Sequence, residues 1–330
     1  MVKKLTVCTI GGGSGMPVVN QALLLAGIKH INSIVTTFDS GGDTGRLKTD
    51  ERGNLLAFSD YWRSLLSLWP SGQQKKFWQE MLGYRDGRGR NFGNSFFAFM
   101  SEKSGSLAKV ENLFTKLTGA KISGQVIPIT LEPSNLRFQT ESGKQYQGEH
   151  MLDNLRMSAD LVKKIWLDPL VKANPRAIKA IEQASLIIVC PGSMYGSAIA
   201  NLLPTGVREA FARNQSPKIL MTNIMSTRNE NHGFDQTDYC KIFAKYLKQA
   251  HPFQLVLMAK LADLNQKKLR QVLDYYAREH SFPIKFKSAK GIKTELLDLA
   301  IIEEANQRLR HSENKLAEFF KTAIPRLVSS

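Results

Sequence analysis

The run TVCTIGGGSGMPVVNQALLLAG at residues 6–27 joins a short apolar stretch to a long one through three glycines, a serine and a fourth glycine. Leu5 to Ile10 has the length and β-branched content of a buried strand, and Gly15 to Ala26 has the length of a helix, so the glycines form the turn between them. A helix start carries free backbone N–H groups and a partial positive charge, and glycine lets a ligand approach the backbone closely. The junction therefore suits a phosphate.

The rest of the chain repeats the alternation. Ile31–Phe38 reads as a second strand running into DSGGDTGRLK, and Asn54–Trp69, Gln73–Leu82, Ser95–Ser101 and Leu107–Leu117 read as helices. KISGQVIPITL, NLRFQTES and GEHML read as short strands, which predicts a β-rich insertion at 119–166 between core segments 1–118 and 167–330. From Pro175 the alternation resumes, with strands at Leu186–Cys190, Lys218–Thr222 and Phe253–Met258 and helices at Pro175–Ala184, Val207–Arg213, Gln236–Gln249 and Asn265–Arg278. Thr294–Arg308 and Glu313–Ile324 are expected as closing helices. The expected fold is α/β and Rossmann-like, a mainly parallel sheet with helices on both faces and a small β-rich lobe. Such sheets bind ligands beyond the carboxyl ends of their strands, where three Gly-rich loops fall: Gly11–Gly15, Asp39–Gly45 and Pro191–Ser197.

The 330 residues hold 45 Lys and Arg against 29 Asp and Glu, a formal charge of +16 that favours anionic ligands. The basic residues are spread along the chain, with neither a zinc-finger spacing nor a polybasic tail, so a solvated basic surface is expected and no specific nucleic acid is. RDGRGR, from Arg85 to Arg90, is either a phosphate clamp or an exposed turn. No apolar run approaches the ~20 residues of a membrane span, so a cytoplasmic protein without a membrane partner is expected. Cys8, Cys190 and Cys240 are too few and too far apart for a disulfide framework or a zinc site, and are read as reduced and structural. His232 and His311 are read as surface residues.

The spacing argues against a dinucleotide fold of the dehydrogenase kind. G-x-G-x-x-G needs a glycine three beyond Gly13, where Met16 stands, and the frame from Gly13 and Gly15 ends at Val18. Asp39 and Asp43 beside Arg46 suit a phosphoester, because paired carboxylates can hold Mg²⁺ and an arginine can fork onto phosphate.

The blocks TIGGGSG, IVTTFDSGGDTGRLK, FGNSFF, VIPITLE, Gly148–Glu149, ASLIIVCPGSMYGSAIANLLPTGVREA, MTNIMS and RHSENKLAEFF stand in the order found in the gluconeogenesis-factor (YvcK-like) family. That family is similar to 2-phospho-L-lactate transferase (CofD). The resemblance spans nearly the whole chain. It implies that Gly11, Gly12, Gly13, Ser14 and Gly15 form a nucleotide-binding loop, Asp39, Gly41, Gly42 and Arg46 an acidic loop, and Gly192, Ser193, Tyr195 and Ser197 a second phosphate loop. Gly93 and Asn94 match a cleft-lining pair, and Asn223 an asparagine ending the following strand. Tyr276 and Arg310 match residues that contact a UDP-sugar in the regulator branch; by their own chemistry Tyr276 could instead pack its helix, and Arg310 cap one.

Two functions follow from the resemblance. One is a cytoplasmic regulator of central carbon metabolism, envelope synthesis and cell shape that binds a nucleotide sugar such as UDP-N-acetylglucosamine and needs no catalytic base. The other is a Mg²⁺-dependent transferase moving a phospholactyl group from a nucleotide donor to a deazaflavin, in which Asp39 and Asp60 position metal and acceptor. Asp60 could equally cap its helix. LLAFSDYWR departs from the family's proline-rich motif before the second acid and moves the arginine to Arg63, and Arg90 stands where a histidine is common. Both departures bear on acceptor identity. A homo-oligomer is the expected assembly.

Overall fold

A computed structural model describes residues 5–38 and 58–329. Seven parallel strands form the main sheet: β1 (Val7–Gly11), β2 (Ile31–Val35), β3 (Gly124–Pro128), β7 (Leu186–Val189), β8 (Lys218–Met221), β9 (Leu255–Ala259) and β10 (Thr294–Leu297). Their order is β10-β9-β8-β7-β1-β2-β3, with Val7 beside both Ile31 and Leu186. From β1 the chain first builds outward through β2 and β3, then returns to lay β7 against β1's other edge and builds the opposite way. The junction of β1 and β7 is thus a topological switch point, where the loops leaving the two strands diverge and open a crevice.

Both faces of the sheet are covered, which is why its strands are continuously apolar. Within β7, Ile187 and Val189 pack into one core and Leu186 and Ile188 into the other. Helices α1 (Gly15–Leu25), α2 (Ser59–Ser67), α4 (Phe92–Ser104), α5 (Leu107–Thr118) and α12 (Glu313–Ser329) supply one face, with α3 (Gln73–Gly83) contributing Leu82. The other takes α7 (Pro175–Gln183), α8 (Val207–Arg213) and α10 (Gln236–Leu247). A buried polar network locks α1 in place: the Thr9 hydroxyl donates to Asn20 Oδ1 at 2.9 Å, and Asn20 Nδ2 donates to the hydroxyls of Ser33 and Ser67, each at 2.9 Å.

The small lobe is an antiparallel sheet of β4 (Asn135–Thr140), β5 (Gln145–Gln147) and β6 (Val162–Asp168) in the order β5-β4-β6. β3 lies inside the stretch 119–166 assigned to the insertion, yet it pairs in parallel with β2. GEHML, expected as a strand, instead holds α6 (His150–Asn154). The second half of PGSMYGS, expected as loop, is a π-helical turn from Met194 to Ile199.

The largest correction lies near the C-terminus. Thr294–Arg308, expected as helix, contains β10, β11 (Ala300–Glu303) and the start of β12 (Arg308–His311). β10 adds in parallel to β9, and β11 and β12 form a hairpin pairing Ala300 with His311. Its short apolar runs fit either period, and pairing with β9 decides between them.

Candidate active or ligand-binding site

The first loop is built by close approach. Ser14 is the N-cap of α1 and Gly15 its first residue; a Cβ on Gly15 would lie 2.2 Å from the Pro191 carbonyl oxygen, so only glycine lets the second loop come this near. Gly11, closing β1, is bound from the second loop's side as well, where Asn201 Nδ2 donates to its carbonyl at 2.9 Å. Gly13, at φ +62°, turns its amide inward and donates to Asp60 Oδ1 at 2.9 Å. Asp60 is buried in the first turn of α2, beneath Gly12. It braces the loop from behind. The Arg63 guanidinium stands 3.9 Å from the same carboxylate.

The second loop is occupied by a protein carboxylate. Glu230, in α9 (Arg228–Asn231), is buried; it accepts from the Ser193 hydroxyl at 2.8 Å and from the Tyr195 amide at 3.3 Å. Burial raises its carboxyl above the usual carboxylate range, the bonds from residues 193–195 opposing the rise. The Gly192 amide donates to Asn223 Oδ1 at 3.3 Å, and Asn223 Nδ2 returns a bond to the Gly192 carbonyl at 2.7 Å. The Gly196 amide donates to Ser193 Oγ at 2.8 Å. The Gly192, Tyr195 and Gly196 amides and the Ser193 hydroxyl are thus turned onto the protein, and the loop presents its surface, with Ser197, to the cavity. The amides suited to an anion are those of Gly15 and Met16 at the start of α1, which have no intrahelical acceptor, Pro17 having no N–H to give.

Gly13, Ser14, Gly15, Gly192, Ser193, Ser197, Asn223, Tyr276 and Arg310 all line one cavity of about 560 Å³ at the β1–β7 switch point. Arg310, on β12, spans it: its Nη1 donates to Ser14 Oγ at 2.9 Å. The phenol oxygen of Tyr276, on α11 (Gln266–Arg278), accepts from the Leu309 amide at 3.2 Å, and the Arg308 guanidinium covers its ring at 5.1 Å. Tyr276 therefore packs beneath the cavity as well as facing it.

Other expected residues stand elsewhere. Tyr195, expected at the ligand, is buried and donates its hydroxyl to the Val162 carbonyl at 3.1 Å, because the π-helical turn swings it toward the small lobe. Gly93 and Asn94 lie in the first turn of α4 and do not line the cavity; a Cβ on Gly93 would sit 2.6 Å from the Leu82 carbonyl, and Asn94 Oδ1 accepts from Trp62 Nε1 at 3.0 Å. Asp39, Gly41, Gly42 and Arg46 lie outside the described residues. Among those described, no group of three or more His, Cys, Asp or Glu side chains is placed to hold a metal ion, and Asp39, the expected partner of Asp60 for Mg²⁺, lies outside them.

His311, expected on the surface, is buried and lines the cavity, and burial pushes its imidazole down to about 4. His232 is exposed and packs against Phe282. Cys8 and Cys190 are buried free thiols, raised by burial, and Cys240 is half-buried and free. The Arg85–Arg90 segment is a turn away from the cavity, closed by Asp86 Oδ1 on the amides of Arg88 and Arg90.

Sequence reasoning passed over Glu230 and the cavity's Arg156, Arg228, Arg308 and Glu279. Arg308 and Arg310 carried a readable signal, since residues two apart share one face of a strand, but a helical reading separates them.

The family described as 2-phospho-L-lactate transferase CofD matches residues 7–304. The chain belongs to this family. Within its wider set of relatives, a Nostoc sp. protein provisionally named a gluconeogenesis factor is 30% identical over 325 residues, covering 94% of this chain and 67% of its own. The gluconeogenesis factor of Listeria monocytogenes is 30% identical over 250 residues, 74% of each chain. A crystal structure of a UPF0052 family member from Bacillus halodurans superposes with a TM-score of 0.82 at 24% identity over 96% of this chain and 99% of that one, which shows the shared fold. No described helix of this CofD-family chain is long and apolar enough to cross a membrane.

Proposed function

We propose that this CofD-family protein is a nucleotide-sugar-binding regulator of the gluconeogenesis-factor type, acting in the cytoplasm on central carbon metabolism, envelope synthesis and cell shape, with UDP-N-acetylglucosamine as its ligand. The observation that carries the reading is the bond from Arg310 to Ser14, which brings a guanidinium to the N-cap of α1 inside a cavity also lined by the second loop. In this reading a diphosphate replaces the Ser14 hydroxyl as Arg310's partner and sits on the helix start. The volume of about 560 Å³ lies within the range of small-ligand pockets, roughly 300–1,000 Å³.

The test is a thermal-shift titration. A ligand that binds only the folded chain stabilises it by mass action, so UDP-N-acetylglucosamine is expected to raise the melting temperature in a concentration-dependent way and NAD to leave it unchanged. Silence from every UDP-sugar sinks the regulator reading. A phospholactyl transferase is the second reading, favoured by the family match itself. Product from a deazaflavin and a guanylylated phospholactate only with Mg²⁺, lost in Asp39→Asn, would put it first.

A further inference from the structure

Two arginines of the cavity are held by one carboxylate. Arg156, two residues beyond α6 in the small lobe, places Nη2 3.3 Å from Glu279 Oε1, and Arg308 of β12 places Nη1 3.3 Å from Glu279 Oε2. Glu279 is the C-cap of α11, so its carboxylate ties the lobe to the C-terminal hairpin, and all three side chains line the cavity. Arg308 is fixed independently, over the rings of Tyr275 at 4.8 Å and Tyr276 at 5.1 Å. It shares a strand face with Arg310, roughly 7 Å along β12.

We infer that Arg156 and Arg308 form a second oxyanion subsite of the cavity, in which Glu279 stands in for the ligand's anionic group and is displaced when that ligand binds. The inference rests on the nucleotide-sugar reading for the ligand's identity, and on these three side chains for the subsite. Arg156 is 53% exposed, so its pairing with Glu279 is screened by water and weak. A phosphate meets two guanidinium groups through several charge-assisted bonds and competes with a single carboxylate. The Glu279 carboxylate also repels the incoming anion. It acts through the arginines, as a positioning residue that holds affinity down.

Glu279→Gln keeps the shape of the side chain and removes its charge. Calorimetric titration of the full chain with UDP-N-acetylglucosamine and, separately, inorganic pyrophosphate is expected to show Kd falling about fivefold to tenfold in Glu279→Gln. The gain disappears when Arg156→Ala is added, and Glu279→Asp restores weak binding; a merely structural role gives neither. Wild-type binding that Glu279→Gln leaves equal or weakens overturns the subsite while the nucleotide-sugar reading stands. Tighter pyrophosphate binding by Glu279→Gln with no UDP-sugar bound by either protein supports the subsite and ends that reading. Failure of both proteins to bind either probe overturns both.

Discussion

Arg310 and His311 are neighbours on one strand with opposite electrostatic tasks. Arg310 holds its guanidinium at the edge of the cavity, where its contact with Glu303 at 3.6 Å is too solvent-exposed to contribute much to stability. Arg310→Ala should therefore leave the melting temperature unchanged and weaken UDP-N-acetylglucosamine binding roughly tenfold to a hundredfold, the worth of one or two charge-assisted hydrogen bonds, as calorimetry would read. His311 is kept neutral. Its imidazole is pushed by burial from 6.5 to about 4, and no described group bonds its Nε2. Between those values the unfolded chain binds a proton that the folded chain refuses. The stability linked to His311 is thus complete above pH 6.5 and falls away as the pH drops toward 4, by at most about 3 kcal/mol. Urea unfolding at pH 7 and pH 4.5 should show His311→Gln losing less stability across that interval than the wild type; equal losses would refute the assignment.

At the scale of elements, the two loops work because they touch. Gly15→Ala puts a methyl group against the Pro191 carbonyl and must push the loops apart, which should cost roughly 1–3 kcal/mol and abolish ligand binding together. A binding-competent Gly15→Ala protein would show that the loops need not meet. The position of α1 depends on Asn20, which joins Thr9 of β1, Ser33 of β2 and Ser67 of α2 with no solvent nearby. Asn20→Ala leaves the buried Thr9 hydroxyl without its acceptor and removes the amide that donates to Ser33 and Ser67, and should destabilise the chain on the order of 2 kcal/mol, measurable as a lower urea midpoint at unchanged slope. The second loop differs from the first in what its amides face. Glu230 fills that end with a carboxylate, so in the proposed nucleotide-sugar reading the phosphates sit at α1 and the sugar or base faces Ser193, Ser197 and Asn223.

Across the whole molecule, a net charge of +16 surrounds a cavity lined by four arginines and four acids. Such a charge is expected to steer an anionic ligand toward the cavity, and Glu279, paired with Arg156 and Arg308, to limit how tightly it is held. Association with UDP-N-acetylglucosamine should therefore slow as ionic strength rises from 0.05 to 0.5 M, while the dissociation rate changes less; stopped-flow traces with salt-independent association would exclude steering. The cavity is walled by the first βα unit, the second half of the sheet, the small lobe, the end of α11 and the β11–β12 hairpin. No single segment contains it.

The α/β alternation, the strand-to-helix junctions and the two loops' place at the strand ends were legible from residue order, because apolar periodicity and glycine act over a few neighbours. So were the family blocks, which named Ser14, Gly192, Asn223 and Arg310 before any of them had a position in space. Tertiary structure alone decided what each group faces. Tyr195 turns to the small lobe, Asp60 to the Gly13 amide, and Glu230 closes the second loop, each through a partner 33 or more residues away. Thr294–Leu297 became a strand because β9 offered an open edge, and His311 became buried because β12 pairs with β11. Local sequence fixes which backbone shapes are cheap; the choice among them, and the burial and charge state that follow, belong to contacts between residues far apart along the chain.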